Sequence, residues 1–478
     1  MTQPCALTAR EARRLIGSGD LSPVELLESC IEQIERVNGT VNAVVATDFD
    51  RARIEAKAAE KAVRDGDDLP SLHGLPVGIK DLNATEGLRT TYGSLLMADN
   101  VPDADEAVVA NLRRAGAIVT AKTNTPEFGA GSNTTNKVYG PTRNPFDLTR
   151  TSGGSSGGSA AALAADMLPL CHGSDSGGSL RNPATWCGVV GFRPTPALVP
   201  KENRVLNYSH FSVQGPMART VDDIALMMTG LVSFDPRDPM SSACDPRDFD
   251  TLAAVDLGGL RVAWSTDYGG AAPIDDGIRR TFEAAMAQLA PVFGNCEKRD
   301  PDFQHARDAF WGLRCVNYLA THTDRYEQHY DVLSPNIIAN VEAGRDMSLA
   351  DAALAEQQWR RLYLDFQAFF EDIDLFIAPG NAIPAFLVDE GIPSEINGQK
   401  MGNYMDASVV RSALTLTGHP VIAIPCGVDH LGLPFGLQVV GAKRADKALL
   451  DMAAALETHL NATAGLGRPL ADLEKLTS

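Results

Sequence analysis

The sequence lacks several features that mark particular classes of protein. It is 478 residues long and contains no apolar run of 18 or more residues, so a transmembrane helix is not expected. Its first residues contain no apolar segment behind a basic one, so a secretory signal peptide is not expected either. We therefore expect a cytoplasmic protein with no membrane partner.

Cysteine is scarce and scattered. No two cysteines form a Cys-x-x-Cys pair, and no cysteines and histidines have the spacing of a zinc site. Single cysteines of this kind are typical of reduced thiols in a cytosolic protein, and we expect no metal and no cofactor. The cysteines are Cys5, Cys30, Cys171, Cys187, Cys244, Cys296, Cys315 and Cys426.

Positive charge is also in short supply. The sequence has 42 Lys and Arg against 61 Asp and Glu, which gives a formal net charge of −19. A strongly acidic protein is repelled by nucleic acid and by anionic membrane surfaces, so no nucleic-acid partner is expected. Solubility is the ordinary reason for such a balance.

What the sequence does contain is an alternation of helical and strand-like segments. Ser22 and Glu25 form a capping box that opens a helix, and the pair at residues 38–39 predicts its end. A short buried strand ends at Lys80, a helix follows from about Asp103, and a second strand covers residues 117–121. This alternation predicts an α/β fold with a central mixed β-sheet flanked by helices.

Strand-like segments recur near the end of the chain, at residues 375–378, 421–424 and 435–440. Each is too short to bury itself, so we expect all of them to join one sheet. We therefore predict one domain over residues 1–478 with four parts. These are an N-terminal helical part (1–70), a core (72–235), a helical insertion or cap (240–370) and a C-terminal part that returns to the sheet (371–465).

The first segment with a chemical signal is GLPVGIKD, which places Lys80 at the end of an apolar strand. Desolvation there lowers the pKa of a lysine and frees neutral amine to act as a base. On this segment alone, a packed stem with its ammonium in water is the commoner outcome. Lys122, at the end of the next strand, is a rival for the same role.

The second segment is GGSSGGS at residues 153–159, which runs directly into an alanine-rich helix. This context favours a tight turn at a helix N-terminus over a flexible linker, and the N–H groups there can hold an anion or a hydroxyl. The segment also fits Gly-x-Ser-x-Gly with Ser156 at its centre. A nucleophile elbow of the α/β-hydrolase kind therefore stays open, and it would need a downstream acid and histidine.

The third segment places a glycine pair directly before Ser179. Consecutive N–H groups of such a turn can converge on an oxyanion, although ordinary turns use the same residues. Asp175 and Arg181 flank the serine and could pair to brace the loop. Together the three segments supply a nucleophile, a relay and a base without histidine, which a weakly nucleophilic serine needs.

These segments closely resemble the amidase signature family. The resemblance rests on GLPVGIKDL around Lys80, on GGSSGGSAAALAA around Ser155 and on GSDSGGSLRNPATWCGVVGFRPT from Gly173 to Thr195. It extends to GPMARTVDDIALMM, TGHPVIAIPCG and GLPFGLQVVG further along, and residues 240–370 match least. Ser176 departs from the Ile or Thr of many members, and Asn182 lies where others vary.

The resemblance implies an amidohydrolase that cleaves the C–N bond of a small linear amide through an acyl-enzyme. It implies Ser179 as nucleophile, Ser155 as a relay that follows a cis peptide bond, and Lys80 as base. The implied oxyanion hole consists of the backbone N–H groups of Ser176, Gly177, Gly178 and Ser179. The implied acyl pocket is lined by Gly129, Ala130 and Gly131.

Several alternatives stay open at this point. Within the family, the chain could be the amidase subunit of a glutamine-dependent tRNA amidotransferase, which needs partner subunits, or a hydrolase of aryl amides, carbamates or esters. A binding protein that has kept only the scaffold is a further possibility, and the family leaves a homodimer open. We expect loops and the 240–370 region to set the substrate.

Overall fold

Eleven strands form one mixed sheet in the computed structural model, which describes residues 3–477. Two further pairs of short strands lie outside this sheet, β4 with β5 and β12 with β13. The strands are β1 (Val44–Thr47), β2 (Pro76–Lys80), β3 (Ile118–Thr123), β4 (Arg143–Asn144), β5 (Asp147–Thr151), β6 (Leu170–Asp175), β7 (Val190–Arg193), β8 (Val213–Ala218), β9 (Arg261–Trp264), β10 (Asn295–Lys298), β11 (Leu375–Pro379), β12 (Glu395–Ile396), β13 (Gln399–Lys400), β14 (Val421–Val428) and β15 (Pro434–Val440).

Helices flank this sheet along the described chain. They are α1 (Ala9–Ser18), α2 (Pro23–Val41), α3 (Phe49–Asp65), α4 (Ala107–Arg114), α5 (Gly157–Ala164), α6 (Arg181–Trp186), α7 (Val221–Leu231), α8 (Asp276–Leu289), α9 (Ala306–His329), α10 (Pro335–Asp346), α11 (Leu349–Phe369), α12 (Val409–Thr417) and α13 (Asp446–Ala462). None of the helices in residues 3–477 is long and apolar enough to cross a membrane.

The strand order is β1-β3-β2-β6-β8-β7-β14-β15-β11-β9-β10. Strands β3, β2 and β6 are parallel neighbours, and so are β11, β9 and β10. The remaining neighbours are antiparallel. The prediction of a mixed central sheet flanked by helices is confirmed.

The second helix shows how local chemistry sets an element's bounds. The capping box is present, with Ser22 accepting from the backbone and Glu25 accepting from the Ser22 N–H. The end predicted at residues 38–39 is wrong, because the helix continues to Val41 and Asn42 adopts φ 54° at its C-cap. Asn38 instead accepts hydrogen bonds from the N–H groups at residues 43 and 44 and so ties down the turn that follows.

Residues 240–370 are only partly helical. Helices α9, α10 and α11 pack on one another as expected for a cap. The segment also contributes β9 and β10, which pair in parallel beside β11 and extend the sheet. Each has four residues and β10 carries two charges, so neither produces a clear strand pattern. The division of the chain into four parts remains a prediction.

Candidate active site

The site begins where two parallel strands end. Strand β2 ends at Lys80 and its parallel neighbour β6 ends at Asp175, so both ends open at the same edge of the sheet. Helix α5 begins beside that edge at Gly157, directly after the two serines of the second segment. The topology thus brings together three segments that are spread over residues 80–179 of the sequence.

Lys80 is fully buried among hydroxyl groups. Its Nζ lies 2.7 Å from Ser155 Oγ, 2.9 Å from Ser156 Oγ and 3.1 Å from Ser174 Oγ. Burial lowers the pKa of this amine well below its usual value, and the Asp175 carboxylate offsets this only in part. Loss of the proton from this amine is therefore easier than for an ordinary lysine, which suits a base.

Ser155 connects this lysine to the cavity. The peptide bond between Gly154 and Ser155 is cis, as the family resemblance implies. Gly129 packs against it, since a Cβ at that position would lie 3.3 Å from Ser155 Oγ and 2.9 Å from Leu82 Cδ1. Gly129 also has φ +74°, a conformation that favours glycine.

Ser179 lies in the loop between β6 and α6 and lines the same cavity as Ser155. Its carbonyl oxygen accepts a hydrogen bond from the Ser156 N–H at 3.2 Å, which joins the two serine turns. Its hydroxyl makes no hydrogen bond to any residue between 3 and 477, and its side chain is half-buried. This hydroxyl is thus accessible to a molecule in the cavity.

The loop that carries Ser179 is braced by Asp175. Arg181 contacts both carboxylate oxygens at 3.1 Å, and Arg193 adds a third contact at 3.3 Å. Burial favours a raised pKa for Asp175, but the two arginines outweigh it and hold the pKa below its usual range. The predicted pairing of Asp175 with Arg181 is confirmed.

Arg181 also ties this loop to the C-terminal part of the chain. Its Nη1 donates to the Arg411 carbonyl at 3.0 Å and to Gln438 Oε1 at 2.7 Å, and its Nη2 donates to Thr415 Oγ1 at 2.8 Å. The neighbouring Asn182 donates to Asn381 at 2.9 Å. Every one of these acceptors lies about 200 residues or more further along the chain.

The predicted oxyanion hole is only partly available. Gly178 N–H donates to Asp175 Oδ1 at 2.8 Å, so in this structure it fixes the loop. The N–H groups of Ser176, Gly177 and Ser179 make no hydrogen bond within the described chain, and all three residues line the cavity. Three donors of the predicted four are therefore free to meet an oxyanion.

The rival base and the rival nucleophile are placed elsewhere. Lys122 donates to the Asn83 carbonyl and, at 2.9 Å, to Thr85 Oγ1, and burial lowers its pKa to about 8. No hydrogen bond joins it to a serine of the cavity among the described residues. Ser156 is fully buried, and its Oγ accepts a hydrogen bond from Lys80 and donates one to the Ser174 carbonyl. A nucleophile elbow that exposes Ser156 therefore does not form.

The cavity that these residues line has a volume of about 480 Å³. Two of the three residues predicted for the acyl pocket, Gly129 and Gly131, lie on its wall. Ala130 does not, because its methyl group is buried in an apolar cluster with Tyr318 and Ile337.

Another part of the cavity wall, called here the α9 wall, is formed by one face of helix α9. Its cavity-lining residues recur every three or four positions, which is the spacing of a single helical face. Phe310 packs directly against the serine loop, because a Cβ on Gly177 would lie 2.7 Å from Phe310 Cζ. The lining residues of α9 are Phe310, Arg314, Asn317, Tyr318, Thr321, His322 and Arg325.

Sequence reasoning assigned this region to the substrate pocket but identified none of these side chains. The signal available was their helical spacing, which a packed core face shares. His322, for example, is buried between Phe128 and Tyr318, with its pKa lowered by burial to about 3. It is therefore a neutral part of the wall.

Arg411 is a second residue that the sequence did not reveal. It lies on α12 and is buried beside the serine loop, since a Cβ on Gly178 would lie 2.7 Å from its Cδ and Nε. Its Nη2 donates to Ser408 Oγ at 2.8 Å and its Nη1 donates to Asn381. Its Nε has no hydrogen-bond partner in residues 3–477.

Comparison with known proteins agrees with this geometry. The family model described as Amidase matches residues 25–450. The chain is 32% identical over 455 residues to an acylamidase of Rhodococcus erythropolis, covering 94% of this chain and 95% of that one. It is 31% identical over 479 residues to a subunit of the glutamyl-tRNA(Gln) amidotransferase of Thermoanaerobacter pseudethanolicus, covering 95% and 96%.

The solved structures give the same result. A bacterial aryl acylamidase of the amidase signature enzymes superposes with a TM-score of 0.88 at 28% sequence identity. The superposition covers 95% of this chain and 96% of that chain. The similarity therefore extends over the whole fold, including the part that forms the cavity walls.

Proposed function

Because this chain belongs to the amidase signature family and hydrolyses carbon–nitrogen bonds of linear amides, we propose that it does so through an acyl-enzyme on Ser179. In this proposal Ser155 relays protons and Lys80 is the base. The observation that carries it is the buried Lys80 amine, which lies 2.7 Å from Ser155 Oγ and has a strongly lowered pKa.

The reaction starts with Lys80 in its neutral form. Lys80 takes a proton from Ser155, and Ser155 takes one from Ser179 as Ser179 Oγ attacks the amide carbonyl carbon. The resulting tetrahedral oxyanion is held by the free N–H groups of Ser176, Gly177 and Ser179. Each such donor is worth about 10²–10³ in rate when the site is dry and preorganised.

The intermediate then collapses and the C–N bond breaks. The nitrogen receives a proton through Ser155 and leaves as the amine or ammonia, while the acyl group stays on Ser179 as an ester. Water attacks this ester, and the same relay accepts its proton and returns one to Ser179. The products are a carboxylic acid and an amine, and the chain is restored.

Labelling with a fluorophosphonate probe tests the assignment of the nucleophile. The wild-type chain and Ser156→Ala should both be labelled, and Ser179→Ala should lose the label. The reverse pattern, with the label lost in Ser156→Ala, would support a nucleophile elbow instead. Absence of labelling in the wild-type chain would favour a binding protein that has kept only the scaffold.

A second candidate is the amidase subunit of a glutamine-dependent tRNA amidotransferase. The specific observation in its favour is the similarity to the Thermoanaerobacter pseudethanolicus protein, at 31% identity over 95% of this chain. Assays of the purified chain with and without added partner subunits decide between them. Turnover of simple amides without other proteins supports the free-standing amidase, whereas hydrolysis of glutamine only with added partner subunits supports the amidotransferase.

The compartment and the assembly state complete the proposal. All eight cysteines are free, and six of them are buried, which fits a reducing compartment such as the cytoplasm. A small-molecule amide is the partner that the cavity volume of about 480 Å³ accommodates. A homodimer is the assembly that the family resemblance suggests, and light scattering on the purified chain would test it.

A further inference from the structure

The cavity and the whole chain differ in the sign of their charge. The chain has a formal net charge of −19. The cavity wall nevertheless has five basic residues and only one acidic residue, Glu106. The basic residues are Lys201, Arg204, Arg314, Arg325 and Arg411.

Most of these cations have no acidic partner. Arg204 forms an ion pair with Asp238 at 2.8 Å, and both side chains are almost fully buried. The other four make no ion pair with any carboxylate in the described part of the chain. Carboxylates still act on two of these four at longer range, Glu106 and Asp238 on Lys201 and Asp175 on Arg411. Arg314 and Arg325 are therefore the least compensated cations of the cavity lining.

Arg314 has the clearest geometry of the four. Only 8% of its surface is exposed, and its neighbours are neutral. Its Nε donates to Asn340 Oδ1 at 3.0 Å, and its Nη2 donates to Tyr318 Oη at 2.6 Å and to Tyr404 Oη at 2.8 Å. Its Nη1 makes no hydrogen bond within residues 3–477, although the side chain lines the cavity.

A buried cation without a counter-ion is unfavourable, and an arginine does not relieve this by losing its proton. The two phenol oxygens and Asn340 hold the guanidinium in a fixed plane without neutralising it. None of these three groups accepts a hydrogen bond from Nη1, so one edge of the guanidinium remains free. A fixed guanidinium with a free edge is a geometry suited to a carboxylate or a similar anion.

The position of Arg314 relates this charge to the serine loop. Phe310 on the same helix contacts Gly177 in that loop. Arg314 is four residues further along α9, which is about 6 Å along the helix axis. Arg314 thus lies roughly one turn of α9 from the point where this helix contacts the serine loop.

We propose that the amide substrate carries an anionic group, of the carboxylate type, which Arg314 binds at the cavity wall. This inference rests on the proposed hydrolysis at Ser179 and adds the chemical class of its substrate. Arg325 and Lys201 contribute further positive charge on the same wall. A neutral amide cannot neutralise the guanidinium of Arg314. The positive charge of this residue therefore does not strengthen the binding of a neutral amide.

Matched substrate pairs test the proposal on the unmodified protein. One pair places the charge in the acyl part, succinamic acid against succinamide, with a correction for the two equivalent amides of the latter. The other places it in the amine part, 4-acetamidobenzoate against 4-acetamidobenzamide. We expect kcat/KM to favour the charged member of at least one pair by roughly 10-fold or more. Equal or better turnover of the neutral member in both pairs would overturn the proposal.

Variants of Arg314 separate recognition from structure. Arg314→Met should lower kcat/KM for the preferred charged substrate by roughly 10- to 100-fold more than for its neutral partner. Arg314→Lys should recover part of the loss, because the charge is retained. Arg345→Met is the matched control, since Arg345 lies on neighbouring α10, partly exposed and outside the cavity lining.

An equal loss for both members of the pair in folded Arg314→Met would assign Arg314 a structural role and overturn the proposal. If Arg314→Met does not fold, Arg314→Lys and the wild-type substrate pairs decide.

Measurements of ligand binding test the anion site separately from the proposed hydrolysis. Calorimetry with 4-acetamidobenzoate and succinate does not require turnover and can use Ser179→Ala. Binding of at least one of them in Ser179→Ala, weakened at least 10-fold by adding Arg314→Met, supports the anion site even if no amide is hydrolysed. If neutral amides are hydrolysed while the anions are neither bound nor hydrolysed, the proposed hydrolysis stands and the anion site is rejected.

Discussion

The two walls of the cavity are built in different ways. The serine wall uses short residues and backbone N–H groups, and its one buried carboxylate, Asp175, is matched by two arginines. The α9 wall uses long side chains, and its two arginines have no acidic partner in the described chain. The first wall is arranged for a reaction common to many amides, and the second for the particular molecule that reacts.

Replacing the nucleophile should give the largest effect and act on the serine wall alone. Ser179→Ala removes the attacking oxygen, so kcat/KM should fall by about 10⁴–10⁶-fold. Binding of an anionic ligand at α9 should survive, and calorimetry on the same variant checks this. Ser18→Ala, an exposed serine on α1, is the control and should keep full activity. Residual activity within 10-fold of wild type would reject Ser179 as the nucleophile.

The pH dependence of the rate should follow the Lys80 amine. Burial lowers its pKa, so kcat/KM should rise with pH through that lowered value and fall as the amine becomes protonated below it. Lys80→Ala should lose about 10²–10⁴-fold in kcat/KM and also lose this rise. Lys447→Ala, which removes a surface ion pair with Asp451, should leave the profile unchanged. Near-normal activity of Lys80→Ala from neutral to alkaline pH would contradict the mechanism.

The ion cluster under the serine loop should contribute mainly to stability. Asp175→Asn leaves Arg181 and Arg193 buried without their carboxylate, and the free energy of unfolding should fall by about 3–5 kcal/mol. Because the pKa of Asp175 is lowered in the fold, its contribution is present above about pH 4 and is lost as pH falls further. Denaturant titrations at several pH values measure both effects.

The exposed pair of Asp372 with Arg299 provides the comparison for that prediction. Asp372→Asn should change the free energy of unfolding far less than Asp175→Asn does, because solvent screens an exposed ion pair. Equal effects of the two substitutions would show that burial does not distinguish the two ion pairs. In that case burial of the Asp175 ion cluster would not give it a special contribution to the free energy of unfolding.

Arg411 offers the smallest of these effects and tests whether charge behind the serine loop assists the reaction. Its unpartnered Nε lies beside Gly178, where positive charge favours the oxyanion. Arg411→Met should lower kcat by about 10-fold with little change in KM, and Arg411→Lys should lower it less. A raised KM with unchanged kcat would instead assign Arg411 to substrate binding, which is the role proposed for the α9 wall.

The residues of the serine wall could be proposed from the sequence, because they follow a strand end and glycine-rich turns whose motifs resemble those of a known family. The strand pattern did not show that β2 and β6 are the parallel neighbours that bring Lys80 and the Ser179 loop together. The contribution of Arg411 was not predictable, since it meets Gly178 only after a separation of more than 230 residues. The use of Gly178 N–H by Asp175 was likewise not predictable, because a run of equivalent donors does not show which one is already bonded.

The α9 wall shows the limit of pattern reasoning more generally. Phe310 and Arg314 recur at helical spacing, but a buried face and a cavity face share that spacing. Which face of α9 meets the cavity depends on how α9 packs against α10, α11 and α12. That packing is a property of the whole fold, so the residues of this wall became identifiable only in three dimensions.

The bonds of Arg181 have a consequence for the timing of activity during synthesis. Its acceptors at residues 411, 415 and 438 leave the ribosome more than 230 residues after the serines. A growing chain that already displays Ser155 and Ser179 therefore lacks the anchors that shape the loop between them. Hydrolytic capacity should therefore appear only after synthesis has passed residue 438.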